Sequence, residues 1–235
     1  MARRPRVIVP GLAHHVTQAG NNRQEVFTYN DDRRLYLDLL ARYAERYEAH
    51  ILGYCLMADH VHLVVVPERE FSLACLMGRT NTEYTMAWNR VERRSGHLWQ
   101  SRFRSCPVET GELPSVLRYV ERGPVRAGLQ QNAWEYPWSS ARYHAVGPDS
   151  ETIFDHHAMR SLRDWDRVRW KELLSAQETP LDLELVRRAT MTGRPLGSPA
   201  FIHQLETETG LTLMARPRGR PRRESATSYG VFAPA

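Results

Sequence analysis

The sequence has no long hydrophobic run and little cysteine, and each scarcity excludes a class of protein. Apolar runs such as residues 63–66 fall far short of the roughly 20 residues that a membrane-spanning helix needs. The basic start of the chain leads into an apolar stretch cut short by Pro10, so we expect no signal peptide. The three cysteines, Cys55, Cys75 and Cys106, are widely spaced. Their number and spacing favour buried thiols in a reducing cytoplasm over a disulfide framework or a zinc cluster.

Lysine is almost absent, because 31 of the 32 basic residues are arginine and only Lys171 is lysine. The charge is also uneven along the chain. Residues 1–147 carry 19 basic and 15 acidic side chains, residues 148–213 carry 8 and 11, and residues 214–235 carry 5 and 1. Arginine forks suit bidentate contact with phosphate, so nucleic acid is the leading candidate partner. A coding bias toward arginine in a protein that merely stays soluble is the alternative reading of this composition.

Hydrophobic periodicity predicts a mixed order of strands and helices in the first 125 residues. Strands are expected at residues 13–19, 51–57, 60–66 and 97–108. Helices are expected from Asp31 or Asp32 to about Ala49, from Ser72 to about Arg94, and from Pro114 through Tyr119 to Arg122. The order strand, helix, strand, strand, helix, strand, helix is that of a ferredoxin-like split βαβ sheet, which is an α+β fold.

The later part of the chain predicts helices without strands. Thr179-Pro180 and Ser198-Pro199 each combine a capping side chain with a first-turn proline. We expect these two helices to end near Ala189 and Thr209. The whole chain is thus divided into a body at residues 1–147, a helical extension at 148–213, and a basic tail at 214–235 that we expect to be disordered.

The sharpest local signal is the sequence His60-Val61-His62 on the third strand. Residues i and i+2 of a strand share a face, so both imidazoles project together while Val61 points the other way. Their Cα atoms would lie about 7 Å apart, close enough for the two rings to converge on one divalent ion. A pair of surface or hydrogen-bonded core histidines at the end of a hairpin is the alternative for so short a motif.

Several motifs of the body, in the same order and spacing, resemble the REP-associated tyrosine transposases of bacteria, within the single-tyrosine HUH transposases of the insertion-sequence-200-like type. The resemblance covers about residues 5–147. The matching segments are Gly11–Thr17 with Gly20–Arg23, Leu56–Leu63 around the two histidines, Leu98–Phe103, Tyr119–Leu129 and Trp138–Ala141. Residues 192–198, Thr-Gly-Arg-Pro-Leu-Gly-Ser, also resemble an extension found in one branch of that family.

The resemblance implies a metal-dependent endonuclease and strand transferase acting on single-stranded DNA, at hairpins or repeats. Tyr119 matches the family's nucleophile, and His60 and His62 match its ligands for Mg²⁺ or Mn²⁺. A phenol is a poor nucleophile at neutral pH, so a divalent ion that polarises the phosphate is chemically reasonable. Attack by Tyr119 would give a 5′-phosphotyrosine link and a free 3′-hydroxyl. The resemblance also implies a bacterial cytoplasmic protein associated with the nucleoid.

The chain departs from the family pattern at Gly123. Most relatives carry asparagine there, directly before Pro-Val-Arg and four residues after the tyrosine, where helical spacing brings it to the metal as a third ligand. Glycine has no side chain to offer, so water or another residue, with Gln18 as a candidate, would complete the shell. This departure favours a second hypothesis, a transposase-derived DNA-binding or regulatory protein with impaired catalysis.

Other residues are weaker candidates for contact with DNA. Arg102 and Arg126 are plausible phosphate contacts, although a solvated face is an equal alternative for each. For Trp99 and Phe103 we expect core packing rather than base stacking. Five other histidines have no spacing partner and receive no role: His14, His15, His97, His156 and His157.

The tail contains Pro217-Arg218-Gly219-Arg220-Pro221, which resembles the core of an AT-hook. Prolines keep such a segment extended, and Arg218 and Arg220 could enter a narrow minor groove. A basic tail that binds any polyanion is the alternative. Both interpretations predict contact with nucleic acid, and duplex DNA is a candidate partner of the tail. The choice between monomer and dimer stays open. A replication initiator with the same histidine strand is a third possibility, weakened by the lack of a helicase or nucleotide-binding segment.

Overall fold

The computed structural model describes residues 6–147 and 166–214, and its centre is one antiparallel sheet of four strands. The strands are β1 (His14–Ala19), β2 (Ala49–Leu56), β3 (His60–Pro67) and β4 (Arg104–Pro107). Their order across the sheet is β2-β3-β1-β4, and every neighbouring pair is antiparallel. This is the ferredoxin-like arrangement that the order of elements predicted, so the predicted α+β fold class is confirmed.

Eight α-helices surround the sheet in the described ranges. They are α1 (Asn30–Arg46), α2 (Ser72–Val91), α3 (Leu113–Glu121), α4 (Gly123–Arg126), α5 (Ala141–Ala145), α6 (Arg167–Ser175), α7 (Pro180–Thr192) and α8 (Pro199–Thr209). Helices α1 and α2 pack on each other and on the β2–β3 half of the sheet. Helix α3 lies over β2 and β3, while α7 lies over β4 and β1. None of the described helices has the length and apolarity needed to cross a membrane.

Two helix boundaries were predicted well and for the expected physical reason. The Thr179 hydroxyl accepts a hydrogen bond from the amide of Asp182 and caps α7, and the Ser198 hydroxyl caps α8 by accepting from the amide of Phe201. Helix α7 continues to Thr192, three residues beyond the predicted end, because the chain first turns left-handed at Gly193, with a φ of 68°.

Two other expectations were wrong in extent. Helix α1 begins at Asn30 rather than at Asp31 or Asp32, because the Asp32 carboxylate accepts from the amides of Thr28 and Tyr29 and so caps the helix from inside it. The strand expected at 97–108 is regular only in β4. Before it, the chain touches the sheet through a single bridge between Gly20 and Trp99, since Leu98, Trp99 and Phe103 are buried and hold that segment in an irregular path.

The helical extension shares the hydrophobic core of the body. Trp170 and Leu174 of α6, Val186 and Ala189 of α7, and Leu196 beyond it are buried in the same cluster as the sheet and α3. The extension therefore lies directly over the sheet face that carries the two motif histidines.

Candidate active site

The two motif histidines project from one face of β3, as strand alternation requires. Val61 between them is completely buried on the opposite side. The rings of His60 and His62 stand edge to face with their centroids 5.0 Å apart. In the register of the sheet, His62 lies opposite Thr17 of β1 and Cys55 of β2. The two imidazoles are thus neighbours at one end of the sheet, next to the short turn that joins β2 to β3.

Each histidine is held through its Nδ1 atom by a different partner. The His60 Nδ1 lies 2.5 Å from a carboxylate oxygen of Asp59, the preceding residue. The His62 Nδ1 lies 2.9 Å from the Nε2 of His15, whose own Nδ1 lies 2.7 Å from the hydroxyl of Thr190 in α7. These contacts leave the Nε2 atoms of His60 and His62 with no hydrogen bond inside the described part of the chain. Nε2 is a common metal-ligating atom of histidine.

His15 is a site residue that the sequence analysis missed. Its ring stacks on that of His62, with centroids 5.1 Å apart and the planes 14° from parallel. Burial lowers the pKa of His15 to about 3, with the positive charge of Arg126 acting in the same direction. Burial also lowers the pKa of His62 well below its ordinary value, and its neighbours add to the effect. The pairing of His15 with His62 depends on the register of β1 against β3. No local sequence motif predicts that register, so the sequence did not identify His15.

Tyr119 lies in α3 on the same side of the sheet. Its ring is 5.6 Å from that of His62 and 5.7 Å from that of His15, in edge-to-face contact with both. The guanidinium carbon of Arg126 lies 4.3 Å from the centroid of the Tyr119 ring, and an Arg126 nitrogen donates to the Tyr119 carbonyl. The structure therefore brings the tyrosine and both motif histidines together, although they are separated by more than 50 residues of sequence.

Arg126 is partly buried and engaged within the protein, which argues against a solvated face, while its contact with phosphate stays a prediction. Its Nη1 donates to both carboxylate oxygens of Glu178, at 2.9 and 3.1 Å, and the same carboxylate accepts from the Nε of Arg122. These side chains are only 18% exposed for Arg126, 12% for Arg122 and 7% for Glu178. Arg126 instead ties α4 to the segment that leads into α7.

Gln18 does not face the histidines, so the expectation of a third metal ligand there is wrong. It lies opposite Val61 in the register of β1 and β3, and paired residues point to the same face. Its side chain therefore projects toward α2, on the other side of the sheet, where its amide nitrogen donates to the Ser101 carbonyl at 2.9 Å. Strand alternation alone separates residue 18 from the Thr17 face that His62 shares.

Arg102 is exposed and belongs to a different part of the molecule. It lines a cleft of about 1010 Å³ beside α2 and a second cleft of about 660 Å³ between β4 and residues 190–194. The second cleft is also bordered by Arg6, Arg104 and Arg194. Trp99 and Phe103 are 9% and 8% exposed, as the expectation of core packing required. Arg218, Arg220, His156 and His157 lie outside the described residues.

Gly123 stands where a side chain would enter the site. A Cβ atom built at this residue would lie 3.5 Å from the sulfurs of Cys55 and Met57, an ordinary contact distance. Cys55 is the cross-strand neighbour of His62, so a side chain at residue 123 starts toward the histidine pair. Among the described residues no group of three or more histidine, cysteine, aspartate or glutamate side chains is placed to hold a metal. Two imidazole nitrogens on one face nevertheless fit a divalent ion whose other ligands are oxygens of water or substrate.

An antiparallel sheet that presents two histidines to a helical tyrosine is the arrangement expected of the single-tyrosine HUH transposases that the motifs resemble. Residues 8–123 match the model of the IS200-like transposase family, so this segment of the chain is similar to the transposases of that family. This confirms the family resemblance drawn from the motifs and places the chain among DNA-binding proteins of transposition and recombination.

One solved structure supports the assignment of the fold, and two others are less similar in structure. A REP-associated tyrosine transposase bound to a REP hairpin is 17% identical, with a TM-score of 0.54 over 67% of this chain and 96% of that chain. A putative transposase from Deinococcus radiodurans is 20% identical, with a TM-score of 0.36 over 52% and 97%. The tRNA(His) guanylyltransferase of Saccharomyces cerevisiae is 8% identical, with a TM-score of 0.40 over 85% and 86%. No curated protein matches the sequence.

Proposed function

We propose that this protein cuts and rejoins single-stranded DNA at hairpins or repeats through a covalent 5′-phosphotyrosine intermediate. The observation that carries the proposal is the contact of Tyr119 with His62, at 5.6 Å between ring centroids, on the sheet face that also presents His60. A nucleophile and a pair of metal-ligating nitrogens that face one another can hold the same phosphate between them.

The bonds formed and broken in this reaction balance, and the reaction needs no outside energy source. The Tyr119 phenol oxygen forms a bond to phosphorus, the bond from phosphorus to the 3′-oxygen breaks, and the phenol proton ends on the departing 3′-hydroxyl. A new 3′-hydroxyl can later attack the phosphotyrosine and restore both the diester and the free phenol. Because the phosphodiester energy is kept, strand transfer needs no ATP.

The side chains around Tyr119 and the histidines have distinct parts in this reaction. Arg126 orients Tyr119 by lying over its ring and binding its carbonyl. Asp59 and His15 orient His60 and His62 through their Nδ1 atoms. A divalent ion, Mg²⁺ or Mn²⁺, held by the Nε2 atoms of His60 and His62 would polarise a non-bridging oxygen of the scissile phosphate.

Contacts with DNA away from the scissile phosphate are assigned to arginines outside the site. Arg102, with Arg6, Arg104 and Arg194, borders a cleft of about 660 Å³, and arginine side chains of this kind contact the phosphate backbone of nucleic acids. Arg218 and Arg220 of the tail are proposed to bind duplex DNA. The protein would act in the bacterial cytoplasm at the nucleoid, as a monomer or a dimer.

A second candidate function is DNA binding or regulation without useful catalysis. Gly123 favours it, because the position that faces Cys55 and Met57 beside the histidines carries no oxygen ligand. The two functions differ in whether a covalent protein–DNA adduct forms.

The first prediction tests the nucleophile with Tyr119→Phe and a hairpin oligonucleotide labelled at its 3′ end, so that the label stays with the 5′-phosphotyrosine fragment. In manganese, the wild-type protein should form a labelled adduct that survives denaturing electrophoresis. The Tyr119→Phe variant should fold normally, since only a hydroxyl is lost, and form none.

The matched control is Tyr54→Phe. Tyr54 is buried to a similar degree, 5% exposed against 8%, but its β2 position lies opposite Leu63, on the other face of the sheet. This control variant should retain the adduct. An adduct with the Tyr119→Phe variant would show that another tyrosine is the nucleophile, and no adduct from the wild-type protein on any hairpin tested would favour the regulatory function.

A further inference from the structure

A continuous line of hydrogen bonds joins the helical extension to the second motif histidine. It begins in α7, where the Thr190 hydroxyl lies 2.8 Å from the carbonyl oxygen of Val186, one turn earlier. The same hydroxyl oxygen lies 2.7 Å from Nδ1 of His15, and Nε2 of His15 lies 2.9 Å from Nδ1 of His62. Thr190 is 3% exposed and His15 is 1% exposed, so water does not compete for these contacts.

The donor and the acceptor of each hydrogen bond in this line follow from the contact between Thr190 and Val186. The Val186 carbonyl oxygen can only accept, and at 2.8 Å it takes the Thr190 hydroxyl proton in the usual i to i−4 manner of threonine in a helix. The Cys106 sulfur, 3.5 Å from the same hydroxyl oxygen, is then left to donate to it. The hydroxyl oxygen can then only accept from His15, which places the proton of the neutral His15 ring on Nδ1. His15 Nε2 is left as an acceptor, so His62 must donate from its own Nδ1. The lone pair of His62 is thereby directed to Nε2.

His60 reaches the same state by a local route. Its Nδ1 donates to the Asp59 carboxylate, which fixes its proton on Nδ1 and its lone pair on Nε2. The two motif histidines thus carry matching tautomers, one set by the adjacent residue and the other by a residue 128 positions later in the chain. Were the His15 ring in the opposite tautomer, His62 would carry its proton on Nε2 and could not bind an ion there.

We propose that Thr190, acting through His15, is a positioning residue that holds His62 in the tautomer able to bind the metal. The inference rests on the proposed function for the identity of His62 as a ligand, but the tautomer itself is a property of the protein alone. It makes the helical extension part of the active site, since α7 is the element that supplies the hydroxyl.

The position of α7 is fixed well enough for this role. Glu178, just before the helix, pairs with Arg122 and Arg126, and Thr179 caps its first turn. At the other end, Leu196 pairs with the strand region through hydrogen bonds to Pro107 and Glu109. Thr190 therefore meets His15 from a helix anchored at both ends.

The test uses the full chain with ¹⁵N-labelled histidine and no added metal, and reads each ring tautomer from the nitrogen shifts and their couplings to the ring protons. In the wild-type protein His62 should carry its proton on Nδ1. Thr190→Val keeps the shape but removes the acceptor, so His15 should shift toward the Nε2 tautomer and drive His62 the same way. Thr190→Ser restores a hydroxyl and should restore the wild-type pattern.

Thr192→Val is the matched control. Thr192 lies in the same helix and donates to the carbonyl of Arg188, also one turn earlier, but it is exposed and touches no histidine among the described residues. Its loss should leave His62 unchanged. A wild-type His62 protonated on Nε2 would overturn the proposal without any variant, and so would a His62 tautomer that is the same in the Thr190→Val protein as in the wild type.

Manganese binding, followed by the electron paramagnetic resonance of the free ion, separates this proposal from the proposed function. Affinity should fall by about 10–100-fold in Thr190→Val and recover in Thr190→Ser, by analogy with other residues that orient metal ligands. If the wild-type protein bound no manganese while its tautomers were as expected, the metal site of the proposed function would fail and the positioning role of Thr190 in setting the tautomer would stand. If the wild-type protein binds manganese, unchanged affinity in Thr190→Val would overturn the proposal that this tautomer governs metal binding.

Discussion

At the scale of single residues, the buried histidines of β1 differ from one another by the face they occupy. His15 faces Tyr119 and His62, whereas His14 points to the other side of the strand and is held by backbone groups. The His14 Nδ1 lies 2.9 Å from the Leu12 carbonyl, and its Nε2 accepts from the Val9 amide at 3.2 Å. One ring nitrogen must therefore donate while the other accepts, which only the neutral imidazole can do.

His14 makes the protein less stable in mild acid. Burial lowers its pKa to about 4, while the unfolded chain has the ordinary value near 6.5. The unfolded state thus binds more protons between these values, so stability present above pH 6.5 is lost as the pH falls toward 4. Between pH 7 and pH 5 the free energy of unfolding should drop by about 2 kcal/mol from this residue.

Urea unfolding at the two pH values measures this drop. His14→Gln should flatten the pH dependence by that amount. His203→Gln, which removes a histidine whose side chain is 80% exposed, should not. An equal pH dependence in the His14 variant and the wild type would mean that His14 titrates normally in the folded protein.

Gly123 allows a gain-of-ligand experiment at the site. Its φ is not positive, and the space around a new Cβ is ordinary, so asparagine fits the first turn of α4. If the amide oxygen of Gly123→Asn reaches the metal, manganese should bind more tightly by about 1–2 kcal/mol, judging by the effects of other changes around metal sites.

The measurement is the manganese concentration that gives half-maximal cleavage. Gly123→Ala adds the same Cβ without an oxygen and is the matched control. Equal half-saturation in the alanine and asparagine variants would place residue 123 outside the coordination shell.

Some residues of this candidate site could be predicted from the sequence and others could not. His60, His62 and Tyr119 lie in local motifs, so spacing and family resemblance were enough to select them. His15 and Thr190 join the site only through strand register and helix docking, across 47 and 175 residues of chain. Gln18 was misplaced because a shift of one residue along a strand reverses the face, and the register of β1 was not known.

At the scale of elements, α7 is the part of the extension that most affects the site. Its start was readable from Thr179-Pro180, because capping is a local property. Its docking over β1 and β4 was not, since that depends on contacts between residues far apart in sequence. The irregular path of residues 97–103 was missed for the related reason that buried side chains override a strand-like pattern.

The docking of α7 depends on a nearly buried carboxylate. Glu178 pairs with Arg122 and Arg126, and replacing it by glutamine leaves two poorly exposed guanidinium groups without their counter-charge. Breaking a buried ion pair by removing one partner typically costs about 3 kcal/mol or more. Glu178→Gln should therefore lower the free energy of unfolding by about 3 kcal/mol and speed amide exchange in α7.

Glu184→Gln provides the comparison, because Glu184 lies within α7 but is exposed. It should change stability by less than about 0.5 kcal/mol. Equal unfolding free energies in the two variants would mean that the Glu178 pairs do not hold the helix in place.

At the scale of the whole molecule, one group of arginines lies apart from the proposed catalytic groups. The site face holds Arg126 and Arg122 in ion pairs, while Arg6, Arg102, Arg104 and Arg194 gather at a separate cleft. Composition predicted a nucleic-acid partner for the chain, but the net charge does not show which arginines are neutralised within the fold. The structure shows that Glu178, an acidic residue of the extension, neutralises Arg122 and Arg126 of the body.

The tail adds five arginines and one glutamate at residues 215–235, outside the described part of the chain. If they bind duplex DNA, each neutralised phosphate releases counterions, and the affinity falls with salt in proportion to the number of contacts. Deleting residues 215–235 should then make the log–log salt dependence of duplex binding shallower by up to about four units. Cleavage of a single-stranded hairpin by the body should survive the deletion, because His60, His62 and Tyr119 all lie before residue 147. Fluorescence anisotropy across a salt series measures this dependence. A full-length variant carrying Arg218→Ala and Arg220→Ala separates the contribution of the AT-hook-like core from that of general basic charge. A core that enters the minor groove should lose more affinity for AT-rich than for GC-rich duplex, and an unchanged salt slope after deletion would show that the tail does not touch DNA.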